Sequence, residues 1–492
     1  MDTTLPDASA PAPTNSSNLF SSNAALAGAT GTEDGASKIK VTEPPKFELE
    51  SYIANYKGRT RFNRLYLIGI TSTVLATDAL KLAIAEAQSG KDVGRYDRSV
   101  RALAEASPSE KEASLDSVWV QDIQRSVRAQ TDRLEGELRG YKNNLIKESI
   151  RMGNEDLGNH YYETGDLIAA SKAYSRMRDY CTTPNHVASM LFKLISVSME
   201  RNDWLGVQSY VHRLRNSSSK PEDLVKYLPK TGVALGLAQM HQRSYLEAAN
   251  TFLSIDVSLG ETYQDVINPN DVAVYGGLCA LASMDRNELQ QRVLDNNSFR
   301  NFLELEPHIR RAITFFCNSK FRLCLDILEA YRTDYLLDIH LQPHVSDLYT
   351  RIRTKSIQQY LVPFSNVTLE SMATIFAPGV VGGQAQPIGL KSPFVQELIQ
   401  LIKDDVLQAR IDLEKGLLVS NQANLRADVQ EQALESLKSF NQEVHWRLLR
   451  SSVINSQSQG SSTAADRRQR RAPDAGPGMS GDDAFASFGS TA

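Results

Sequence analysis

Through most of this chain apolar residues return every three to four positions, the period of a helix with one buried face, and only one short stretch alternates as a strand would. Phe47, Tyr52, Ile53 and Tyr56, then Phe62, Leu65, Leu67, Ile68, Leu75, Leu80 and Ile84, predict a helical start over 46–88. Ser89 to Ser114 is charged and weakly periodic and is expected to be a loop or exposed connection. A long helix should follow from Ser117 to about Lys147, polar on most faces, with Val118, Ile123, Val127, Leu134 and Leu138 as its apolar stripe.

The stretch Leu157-Gly158, Tyr161, Gly165-Asp166, Ala170 and Tyr174 has the spacing of one helix-turn-helix repeat of the tetratricopeptide kind. A small residue lets two helices approach, an aromatic fills the groove, and a Gly ends the first helix. Apolar runs on both sides of a polar junction return around 202, 243, 285 and 318, so successive junctions lie 33 to 42 residues apart. Such units cannot bury their apolar faces alone, so the irregular period predicts one curved stack of divergent pairs. Tyr162, Tyr174, Trp204 and Tyr245 are expected to pack between repeats. Stacks of this kind bind other proteins more often than they perform chemistry.

After Tyr360 the texture changes. Thr368 can cap a helix over Leu369 to Phe376, with Glu370 in its first turn. Ala377 to Lys391 reads as a Gly/Pro-rich loop, and Ser392-Pro393 starts a second helix whose stripe is Phe394, Leu398, Leu401, Ile402 and Val406. Ile411 and Leu413 alternate with polar residues before Gly416 and Leu417 to Val419, the signature of a terminal hairpin over 409–419. Helix, helix and hairpin make a winged helix. Leu425 to Leu449 then forms one amphipathic helix with Val429, Ala433, Leu437, Phe440, Val444 and Leu448 on a single stripe, which must fold back or enter a partner. The fold expected is mainly α: a right-handed superhelical stack of tetratricopeptide-like helix pairs, a winged-helix subdomain and a C-terminal amphipathic helix. Its parts are a disordered tail over 1–45, an N-terminal helical region over 46–140, the stack over 141–350, the winged helix over 351–421, the C-terminal helix over 422–451 and a second disordered tail over 452–492.

Composition narrows the function. A hydrophobic content of 41% supports a real core, and no apolar run approaches the ~20 residues of a membrane-spanning helix. The acidic start lacks the parts of a secretory signal, which predicts residence inside the cell. Cys181, Cys279, Cys317 and Cys324 contain no Cys-x-x-Cys pair and are expected as buried free thiols. The formal charge of -4 offers no general attraction to nucleic acid. Within the winged helix Lys391, Lys403, Arg410 and Lys415 are outnumbered by Glu370, Glu397, Asp404, Asp405, Asp412 and Glu414, so the wing suits protein contact rather than duplex DNA. No phosphate loop and no nucleophile turn occurs. His340 and His344 are four apart, but Pro343 interrupts them and no Glu follows His340, so they read as partly exposed helix-end histidines rather than metal ligands. No enzyme activity, cofactor or metal is expected. Arg467 to Arg471 could serve nuclear import, and Asp482 to Phe488 could serve as a docking peptide.

A helical stack capped by a winged helix is the layout of PCI-domain proteins, the scaffold subunits shared by the proteasome lid, the COP-nine signalosome and a translation initiation factor. The wording Tyr52-Ile53-x-Asn55-Tyr56-x-Gly58-Arg59, Arg64-Leu65, Tyr141-Lys142-x-Asn144 through Arg151, and Asp156-Leu157-Gly158 through Arg178-Asp179-Tyr180-Cys181-Thr182 closely resembles the subunit-one family of the COP-nine signalosome. The strong match covers 46 to 215 and a looser one runs through 421, while the insertion 377–391 departs from the family layout. The resemblance implies a non-catalytic scaffold in the assembly that removes the ubiquitin-like protein NEDD8 from cullins, working in cytoplasm and nucleus. The partners implied are other PCI-domain subunits, the metalloprotease subunits and cullin-RING ligases, with no membrane and no nucleic acid. Zinc chemistry of that assembly uses a Glu, then His-x-His, then Asp, and no His-x-His occurs here. The resemblance also implies two contact surfaces: the hairpin, through Arg410, Ile411, Leu413, Leu417 and Val419, and the C-terminal helix, through Val429, Leu437, Phe440, Val444 and Leu448. The alternatives are a proteasome lid scaffold and, in another class, a winged-helix nucleic-acid binder.

Overall fold

The helical period is realised along nearly all of the chain that is described. A computed structural model describes residues 39–216, 227–256, 263–377, 392–420 and 425–469. They fall into two units, 1–420 and 421–492. The first unit is the expected stack and winged helix.

Order begins earlier than the composition suggests. Val41, placed by sequence in a disordered tail, is buried and forms a parallel bridge with Ser72, its N–H donating to Thr71 O at 2.8 Å. Helices Leu49–Ala54, Gly58–Thr71 and Ala76–Ser89 follow. The charged stretch expected as a loop is instead the helix Val93–Ala106. Arg98, Arg101 and Glu105 lie outward and Arg95 is buried, while Tyr96, Val100 and Leu103 at helical spacing face the core, and the Asp92 side chain accepts from Arg95 N–H at its start. The long helix Ser117–Asn143 buries only Leu134 and Leu138 of its predicted stripe, and Val118 is exposed.

The repeat reading rests on four junctions of one geometry. Gly165, Asn202, Arg243 and Ser319 are all left-handed, with φ of 90°, 56°, 63° and 56°. They separate Lys147–Thr164 from Leu167–Arg176, Pro184–Glu200 from Trp204–Arg215, Leu228–His241 from Tyr245–Leu253, and Pro307–Cys317 from Phe321–Ala330. The junction at Asp285 is extended and begins its next helix with a capping box instead. In the first pair a Cβ on Gly158 would lie 2.4 Å from the Tyr174 ring, so the two helices meet at a glycine. Leu157, Ala170 and Tyr174 are buried there, Tyr174 donates to Asn159 Oδ1 at 2.8 Å, and half-buried Tyr161 donates to Glu135. Trp204 stacks on His241 of the following pair, with ring centroids 4.0 Å apart. One hydrophobic core runs without a break from Ala170 to Leu418, so stack and winged helix are continuous.

Polar joints fix the helices to one another. Arg64 is wholly buried, and its guanidinium donates to Asp338 at 2.6 Å, to Asp271 at 2.8 Å and to Tyr275 at 3.2 Å, with Tyr52 also in contact. Tyr56 donates to Asp271 and Tyr275 to Asp338. Burial raises the Asp271 carboxyl above its usual range. It would raise Asp338 too, but Arg64, Tyr275 and the Leu341 N–H outweigh it and hold that carboxyl low. A second cluster ties Arg59 and Arg95 to Asp92 and Glu200, while Arg59 also donates to the Tyr162 carbonyl. The N-terminal helices are thus bolted to the first two pairs of the stack, through Tyr162 and Glu200, and to the helix Pro269–Ser283 and Asp338 farther along the chain.

The helix Val345–Leu361, which leads into the winged helix, is anchored by a chain of imidazoles. Tyr245 donates to Asp347 at 2.8 Å, so its oxygen must accept from His344 Nδ1 at 3.2 Å. His344 Nε2 then accepts from His241 Nδ1 at 3.4 Å, and His241 Nε2 accepts from His340 Nδ1 at 3.3 Å. Burial favours the neutral form of all three rings, and in this arrangement each carries its proton on Nδ1. His344 is buried, not the partly exposed helix end that Pro343 suggested, because the chain folds this segment against the third repeat.

Candidate subunit interface

The winged helix is built from a strand the sequence reading missed. β1 (Asn366–Thr368), the helices Leu369–Phe376 and Pro393–Lys403, β2 (Ala409–Asp412) and β3 (Leu417–Ser420) form a sheet of order β1-β3-β2. β1 is three residues long, too short for an alternation signal, and it is recognised only through its pairing of Val367 with Leu418. Thr368 caps its helix by accepting from Ser371 N–H. The loop expected over 377–391, beyond Ala377 itself, lies outside the described residues.

Register sorts four of the five hairpin residues onto two faces. Val367, Leu418 and Ile411 share the inner face, where Leu418 is fully buried and Ile411 packs against the core. Ile411, expected at a subunit contact, thus serves the fold, because period-2 alternation puts it opposite Leu418. The outer face carries Arg410 beside Val419 beside Asn366, and Asp412 beside Leu417 beside Thr368. Leu413 is not in a strand: it is exposed in the turn that Gly416 closes at φ 62°. Arg410, Leu417 and Val419 therefore remain as outward residues, with a short edge strand on either side.

The second unit contains one described helix, Leu425–Gln469. It runs well past the boundary of 451 drawn from the sequence, since no proline intervenes before Pro473. Val429, Leu437, Phe440 and Leu448 are all between 62% and 64% exposed, Trp446 is 70% exposed, and Val444 is half-buried. Val429, Ala433, Leu437, Phe440, Val444 and Leu448 recur at three- and four-residue steps, which keeps them on one side of the helix. Trp446, Val453 and Ile454, also exposed, were not on that stripe. Arg470, Arg471 and the segment Asp482 to Phe488 lie outside the described residues.

Among the described residues no cluster of three or more His, Cys, Asp or Glu has metal-binding geometry, and no helix is long and apolar enough to cross a membrane. The four cysteines are free, and burial pushes the Cys279 and Cys324 thiols up to about 12. The surfaces that stand out are thus apolar and outward, fit for protein contact.

Two family models match the chain: 26S proteasome subunit RPN7 over residues 116–292 and the PCI domain over residues 328–422. The chain is 66% identical to the COP9 signalosome complex subunit 1 of Emericella nidulans, with 88% of this chain and 87% of the relative covered. It is 38% identical to the protein of that name from Arabidopsis thaliana, covering 86% of this chain and 93% of the relative. Similarity to the 26S proteasome non-ATPase regulatory subunit 6 of Oryza sativa is lower, 26% over 39% of this chain and 46% of the relative.

Proposed function

This chain belongs to the COP9 signalosome subunit 1 family, and from that premise we propose that it is a non-catalytic scaffold supporting removal of NEDD8 from the cullins of cullin-RING ubiquitin ligases. The observation that carries the reading is the helix Leu425–Gln469, which leaves Val429, Leu437, Phe440 and Leu448 each more than 60% exposed. An apolar stripe of that length in water favours association, and a bundle with equivalent helices of sister subunits would cover it. The outer face of the winged-helix sheet, with Arg410, Leu417 and Val419, would supply a second contact to a neighbouring PCI subunit. The metalloprotease subunits of the assembly would perform the cleavage, and the cullin-RING ligase would be the substrate.

The test is a tagged full-length chain and one lacking 422–492, each isolated from cells and analysed by intact-complex mass spectrometry. The reading expects the full chain to bring down PCI subunits and a NEDD8-cleaving metalloprotease, and the shortened one to lose most of them. A full chain recovered alone, or with proteasome lid subunits, would overturn it. Work in both cytoplasm and nucleus is part of the proposal, supported by the Arg467 to Arg471 run. Replacing those arginines by Ala should reduce nuclear fluorescence of a tagged chain.

A further inference from the structure

Leu145 sits in the turn between the helices Ser117–Asn143 and Lys147–Thr164, with φ at 55° and 81% of its surface exposed. A branched side chain rarely occupies the left-handed region, where Gly or Asn is less strained. Helix ends of this type usually bring an apolar contact with them. Here there is almost none, since Ile146 is 54% exposed and Met152, on the next turn of the following helix, 50%. The turn is held firmly from beneath: Leu138 and Tyr141 close on Gly153, where a Cβ would lie 3.1 Å from each. A stiff corner thus presents strained Leu145 beside Ile146, in the segment Tyr141 to Arg151 that carries the family resemblance and that neither proposed contact surface uses.

Charge restricts what can cover it. Lys142 and Lys147 flank the pair and are exposed, and among the described residues no ion pair engages either. The carboxylate beside them, Glu148, is held by Arg151 at 2.6 Å. We propose that the Leu145–Ile146 corner is a docking knuckle that inserts into an apolar pocket with an acidic rim on another subunit of the same assembly. This rests on the scaffold reading, and adds a contact remote in sequence from the winged helix and the terminal helix.

The experiment measures binding of purified chain to the remaining signalosome subunits, purified together without it. Leu145→Gly removes the side chain and also the backbone strain, so folding and docking should respond in opposite directions. Expected are an unchanged or raised melting temperature and at least a tenfold weaker affinity. Lys142→Glu with Lys147→Glu should weaken binding and flatten its dependence on salt. If Leu145→Gly binds as tightly as wild type, the knuckle is refuted while the scaffold reading stands. If the chain alone forms a dimer that Leu145→Gly abolishes, the occupant is a second copy and the proposal fails. If the wild-type chain does not bind the remaining subunits, the scaffold reading falls and takes the knuckle with it.

Discussion

Acidification should loosen the joint between the stack and the helix that carries the winged helix, and the size of the effect follows from the imidazole chain. Burial, with Arg243 nearby, pulls His344 from its ordinary 6.5 down to about 4, against a smaller opposing pull from Asp347. The folded state refuses a proton that the unfolded chain accepts. Stability is therefore fully present above pH 6.5 and is lost as pH falls from there through 4, the window between the unfolded and folded values. At a limiting 1.36 kcal/mol per pH unit, His344 alone would cost about 2 kcal/mol over the range from pH 6.5 to 4.5. His241 and His340, pushed by burial to about 3 and about 4, act in the same direction. They share hydrogen bonds with His344, so the three do not simply add. A protonated ring has two donors, and in this one-way chain one of them would meet another N–H. Urea unfolding followed by tryptophan fluorescence from pH 7.5 to 4.5 measures the loss, and His344→Gln should flatten it by about one proton's slope. A wild-type profile level between pH 6.5 and 4.5, or an identical slope in the variant, would refute the chain as described.

Other outcomes follow from single contacts. Arg243→Gly should raise stability by roughly 0.5–1 kcal/mol, seen as a higher melting temperature, because the junction is left-handed at φ 63° and glycine adopts that conformation without a Cβ penalty. Arg64→Met should destabilise by about 3–5 kcal/mol by leaving Asp271 and Asp338 buried without their cation, and adding Asp271→Asn with Asp338→Asn should recover part of that loss in a denaturant melt. Gly158→Ala should cost about 1–3 kcal/mol, since the new methyl would press on the Tyr174 ring, and Tyr174→Leu in the same chain should relieve it. Phe440→Asp should leave the melting temperature of the isolated chain unchanged while abolishing recovery of sister subunits in a pulldown.

Whatever is local and periodic in this fold can be read along the chain. The helical repeat, the Gly158/Tyr174 contact, the Thr368 cap and the alternation over 409–419 are written in spacing, because a side chain's face follows from its position along a helix or strand. The helix Val93–Ala106 is written in the spacing of Tyr96, Val100 and Leu103, but the charged residues between them mask that period. The remaining features exist only because distant segments meet in space. β1 exists because β3 offers it a partner, Ile411 faces inward because Leu418 lies opposite, and Asn202, Arg243 and Ser319 are left-handed because the helix pairs must turn there. Arg64 meets Asp271 and Asp338 across more than 200 residues of chain, and His241 meets His344 across about 100. No local pattern specifies such pairs, for a buried charge or ring is satisfied by whatever partner the fold brings to it, and that partner can come from any point along the sequence.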